Sequence, residues 1–75
     1  MPDRTYKLIE LVGVSEKDIS EAIRNAVRRA SETLRGLDWF EVEQIRGTIQ
    51  NGDVGQFQVT MKVGFRVMSP DELRE

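Results

Sequence analysis

Chemistry at neutral pH needs particular side chains, and this sequence is short of most of them. It contains no histidine and no cysteine, so it has neither the usual neutral-pH base nor a thiolate nucleophile. Ser15, Ser20, Ser31 and Ser69 stand in no nucleophile motif. The 13 acids show no spacing that pairs two of them as a catalytic dyad or lays out a calcium loop. Gly47, Gly52 and Gly55 lack the strand-then-helix context of a phosphate-binding fingerprint and read as bulge and turn positions. The chain is therefore expected to be neither an enzyme nor a metalloprotein, and non-covalent binding is what remains.

Three residues carry binding chemistry. Trp39 reads first as an interface tryptophan packed against another subunit; the sharper reading is a large rigid π-face on which a planar ligand can stack. Gln58 donates and accepts at once through its primary amide, which matches the imide edge of a heteroaromatic ring but also suits an ordinary solvated strand position. Arg46 presents a planar cation that can stack or bind phosphate, or can be a plain surface charge.

The elements that position these residues follow from periodicity. Thr5 to Val12 reads as a strand ending at Gly13, with apolar residues on both faces, as in a strand covered on both sides. Ser15 then opens a helix as its cap, with Asp18 in the place of a capping-box acid. Ile19, Ala22, Ile23, Ala26, Val27, Ala30 and Leu34 share one helical face, and Gly36 suits the C-terminal cap. Asp38 to Ile49 is a second strand. A bulge near Gln44 would bring Phe40, Val42, Ile45 and Ile49 to one side. Asn51-Gly52 is a hairpin signal. The third strand alternates Phe57, Val59, Met61, Val63, Phe65 and Val67 against Gln56, Gln58, Thr60, Lys62, Gly64 and Arg66, and Ser69-Pro70 ends it. The fold class is α+β, in the order β-α-β-β: a three-stranded antiparallel sheet packed on one helix.

All 75 residues make a single domain, with 68–75 a charged, mobile tail. A chain this short buries only about 60% of the surface its unfolded form exposes and usually needs a staple. Without cysteine there are no disulfides and a structural metal is not expected, so partner subunits remain. One helix of about 20 residues, some 30 Å long, cannot cover three strands of which the last runs about 43 Å. The uncovered sheet is expected to meet other copies of the chain. The polar N-terminus is no signal peptide and no apolar run approaches the roughly 20 residues of a membrane span. The formal net charge of −2 lacks the positive excess of a nucleic-acid binder. A cytoplasmic protein with no nucleic-acid or membrane partner is expected.

Leu37-Asp38-Trp39-Phe40-Glu41-Val42, followed by Ile45-Arg46-Gly47, resembles the signature of the dodecins, small flavin-binding proteins of bacteria and archaea. Val12-Gly13-Val14-Ser15 and Val63-Gly64-Phe65-Arg66-Val67 are also similar to that family, and the likeness runs from about Tyr6 to Val67. The resemblance implies a hollow homododecamer that holds flavins in pairs on two-fold axes. Each pair lies between two symmetry-related tryptophans at the Trp39 position. It also implies that Gln58 bonds the pyrimidine edge and that Arg46 lies close to the flavin. Flavin storage, buffering and suppression of flavin photochemistry would be the function. Some bacterial members also bind coenzyme A, which suits the basic positions here without assigning residues. Some relatives carry an acid at the place of Gln44, near the flavin side chain. The neutral Gln44 leaves the ribityl contacts, and the preference among riboflavin, FMN and FAD, open.

Overall fold

The computed structural model describes residues 4–67. The order is β1 (Tyr6–Ser15), α1 (Ile19–Ser31), β2 (Leu37–Gln50) and β3 (Asp53–Arg66). The three strands form one antiparallel sheet in the order β1-β3-β2, so the expected α+β fold is present. The expected mobile tail lies outside the described residues.

β3 is central because the two-residue turn folds it back on β2 while α1 carries the chain across to its other edge. Asn51 and Gly52 both take positive φ, 53° and 78°, the left-handed pair that matches the twist of a tight hairpin. The inward residues of β3, Val59, Met61 and Val63, are almost fully buried, and Ala22 and Ala26 of α1 pack onto them. Small helix residues let the helix lie close. Closest of all is Gly13 of β1: a Cβ there would collide with the backbone carbonyl of Ala22.

Several boundaries differ from those expected. β1 does not stop at Val12 but runs on through Gly13, which pairs with Val59, to Ser15, which pairs with Phe57. Gly13 is thus a contact point under the helix, not a strand terminator. The helix cap is Asp18, whose Oδ1 accepts from the Glu21 amide at 2.7 Å. Ser15 instead accepts from the amide of Lys17 at 2.9 Å, closing a turn just ahead of the helix. At the other end the helix stops at Ser31, where Glu32 is the cap. Gly36, with φ 74°, redirects the chain into β2 and caps nothing. The helix therefore has 13 residues, about 20 Å, so it covers even less of the sheet than its apolar spacing suggested. β3, by contrast, begins at Asp53 and not near Phe57.

The chain is accordingly elongated, 54 by 21 by 14 Å. α1 lies over β1 and β3 and leaves β2 bare beyond Leu37. The expected bulge is present: Val42 pairs with Met61 and Gln44 with Thr60, so Glu43 is the extra residue. It keeps Phe40, Val42 and Ile45 on the helix side, opposite Val63, Met61 and Val59. Yet Phe40, Val42, Ile45 and Ile49 remain 48, 38, 53 and 80% exposed, and Val54 52%. A continuous apolar strip of this kind marks an interaction surface.

Candidate functional site

The candidate residues all come from the sheet face turned away from α1. Strand parity assigns them: Trp39 pairs with Gly64, Gln44 with Thr60 and Arg46 with Gln58, while Tyr6, Leu8, Glu10, Val12 and Val14 of β1 share the same face. Two bulges in β2 set this pattern. The extra residue Asp38, between Leu37 and Trp39, lets Leu37 point to the core and Trp39 away from it; Glu43 does the same for Val42 and Gln44.

Trp39 is the third residue of β2, and its ring lies across the neighbouring strand β3. A Cβ at Gly64 would collide with three contiguous atoms of the indole, Cζ2, Cε2 and Cη2. The six-membered ring therefore lies face-down on the Gly64 backbone, which only a residue without a side chain permits. The far end of the indole meets Tyr6 of β1, with ring centroids 4.8 Å apart and planes at 65°. Tyr6 in turn donates its hydroxyl to Asp38 Oδ2 at 3.0 Å. The indole is 43% exposed, on the side away from the sheet.

Arg46 and Gln58, which the sequence only suggested separately, are joined. Arg46 Nε donates to Gln58 Oε1 at 2.9 Å, and Gln58 Nε2 donates to Gln56 Oε1 at 2.8 Å. The amide of Gln58 is thereby oriented, with its oxygen toward β2. Gln44 stands on the same face as Arg46, two positions along β2. Trp39 is not part of this group. Six residue steps of β3 separate Gly64, beneath the indole, from Gln58, roughly 20 Å at about 3.3 Å per residue. Between the two lies a charged row in which Glu10 and Glu41 flank Lys62 in register. Lys62 Nζ reaches Glu43 Oε2 at 3.2 Å. The hydrogen bond and charge of Glu43, aided by Glu10 and Glu41, raise the Lys62 pKa above the ordinary lysine value.

Sequence reasoning missed four contributors: Tyr6, Asp38, Gly64 and Gln56. None carries a local signal for its role. Tyr6 looked like one more apolar strand residue, and only the register of three strands brings it to Trp39. Among the described residues no group of three or more acids is placed to hold a metal ion, and no helix is long and apolar enough to cross a membrane.

Comparison with known proteins gives the family and the fold. The family model described as Dodecin matches residues 5–68. A dodecin of Thermus thermophilus is 53% identical over 64 residues, 85% of this chain and 93% of its own length. The structure of dodecin from Streptomyces coelicolor superposes with a TM-score of 0.88 at 52% identity, covering 92% of this chain and 99% of that one. Dodecin from Streptomyces davaonensis gives 0.88 at 47% identity, covering 91% and 100%.

Proposed function

We propose, from the premise that this chain belongs to the dodecin family, that it is a dodecameric flavin-binding protein that stores flavin and suppresses its photochemistry. Trp39 is the stacking platform, Gln58 binds the pyrimidine edge of the ring, and Arg46 and Gln44 line the site toward the flavin side chain. The ligand is riboflavin, FMN or FAD.

The position of Trp39 carries this reading. The bare apolar strip of Phe40, Val42, Ile45 and Ile49 offers a surface for other subunits on the helix side of the sheet. Trp39 stands on the other face, with one side of its indole seated on Gly64 and the other open. An electron-rich indole stacked on an electron-poor isoalloxazine binds it. It also supplies an electron to the excited ring, which quenches fluorescence without any general base.

The roughly 20 Å between Trp39 and Gln58 exceeds what three fused six-membered rings bridge along a strand. One flavin therefore takes its platform from one copy of the chain and its imide partner from another. A binding site of this kind needs the assembly, as symmetric oligomers allow. The apolar strip on the opposite face supplies the surface that builds it.

Titration of the purified protein with FMN, followed by flavin fluorescence beside sedimentation, tests the proposal. Strong quenching at about one flavin per chain, lost in Trp39→Ala while the particle stays intact, is the expected result. An intact Trp39→Ala particle that binds FMN as the parent does would reject the platform. Dissociation of that variant without ligand would return Trp39 to subunit packing.

A further inference from the structure

We propose that Tyr6 and Asp38 are positioning residues that hold the Trp39 indole in one pose before a ligand arrives. The inference rests on the platform reading above and deepens it, since it concerns how the same site attains its affinity and its quenching.

The clamp spans the whole width of the sheet. Trp39 and Asp38 start from β2, Tyr6 from β1, and β3 lies between them. Two strand spacings are about 9.6 Å, so long side chains must span β3 for the two edge strands to meet. The Trp39 indole crosses at Gly64, where there is nothing to climb over, and the Tyr6 hydroxyl reaches Asp38. The bulge at Asp38 sends two successive residues of β2 to this face, and Tyr6 receives both: its ring takes the indole edge and its hydroxyl takes the carboxylate. The phenol-to-carboxylate bond is charge-assisted and fixes the tyrosine ring. The fixed ring, standing at 65° to the indole, stops the indole from sliding toward β1. Gly64 blocks rotation downward.

This arrangement leaves one indole face free and settles its tilt. A platform already held in its binding pose loses little side-chain freedom when the ligand stacks on it. A loose platform would also place the donor ring at a spread of distances from the excited flavin, and quenching would then proceed at a spread of rates.

The test compares Tyr6→Leu, Tyr6→Phe, Asp38→Ala and the Tyr6→Phe/Asp38→Ala double variant as intact oligomers. The readouts are FMN affinity, the fluorescence decay of bound FMN, and the near-ultraviolet circular dichroism of the ligand-free protein. Tyr6→Leu should weaken FMN binding about 2- to 10-fold, the range of one aromatic pair. It should also split the decay into fast and slow parts and reduce the indole dichroism. Tyr6→Phe keeps the ring and should recover most of that loss. Asp38→Ala should match Tyr6→Phe, and the double variant should be no worse than either, because both remove the same bond. Parental affinity, decay and dichroism in an intact Tyr6→Leu particle would overturn the proposal, as would additive losses in the double variant. The ligand-free dichroism separates the two levels. If Trp39→Ala binds FMN normally, the platform reading fails, yet the dichroism still reports whether Tyr6 and Asp38 hold the indole.

Discussion

A flavin site shared between copies makes a prediction that two defective chains can repair each other. Trp39→Ala removes the platform and leaves Gln58; Gln58→Ala does the reverse. Six residue steps of β3 lie between Gly64 and Gln58, about 20 Å, so under the proposed function each ring would draw these two groups from different chains. Unfold the two variants together in equal amounts and let them assemble. A given site then has one chance in two of receiving a chain with Trp39 and, independently, one in two of receiving a partner with Gln58. Roughly one site in four is intact by random pairing of copies in a symmetric assembly. Each single variant should bind weakly. Loss of stacking is worth about 1–3 kcal/mol per ring in the analogous stacking of bases. Loss of Gln58 removes up to two hydrogen bonds of about 0.5–1.5 kcal/mol each, together about a 5- to 150-fold loss. The assay is FMN quenching at a concentration that saturates the parent and neither variant, with native mass spectrometry to verify that particles are mixed. Quenching near a quarter of the parental amplitude is expected. Mixed particles that bind no better than the separate variants would refute the shared site and place both groups within one chain.

Three further outcomes are expected. Ile45→Asp, in the middle of the bare apolar strip on β2, should shift the assembly toward smaller species in sedimentation, since it buries an unpaired charge in the contact; an unchanged particle would remove the strip from the interface. Gly13→Ala should lower the melting temperature, because the added methyl meets the Ala22 carbonyl and overpacking of this kind costs about 1–3 kcal/mol; a variant as stable as the parent would mean that α1 shifts freely. For Lys62 the folded-state pKa is raised, so its contribution is whole below the ordinary lysine pKa and disappears as pH climbs through the raised value. The difference in melting temperature between the parent and Lys62→Met should therefore be level across neutral and mildly alkaline pH and shrink only above the ordinary lysine pKa. A difference that shrinks between pH 6 and 9 would contradict the assignment.

Periodicity alone revealed the helix, the three strands and the hairpin, because each is written in neighbouring residues. Asn51-Gly52 tolerates the left-handed backbone that a tight turn needs, and the alternation from Phe57 to Val67 has one reading as a half-buried strand. The bulge near Gln44 was legible too, since Phe40, Val42, Ile45 and Ile49 share a face only if one residue is added. Helix ends were less legible. Ser15 and Asp18 are both good caps, and the choice between them depends on where β1 stops. That in turn depends on Gly13 being needed under Ala22, a contact between elements and not a local preference.

The same division holds for the candidate site. Trp39, Gln58 and Arg46 stood out by type and parity, but type and parity carry no distances. Only the register of β2 on β3 joins Arg46 to Gln58 and sets Trp39 roughly 20 Å from both. Only the strand order β1-β3-β2 brings Tyr6 within reach of Trp39 and Asp38, across a glycine distant from each in the chain. Side-chain chemistry is a property of single residues and can be read one residue at a time. Which residues meet is settled by hydrogen-bond ladders between strands, and a shift of one residue in a ladder would turn Trp39 from the open face to the core.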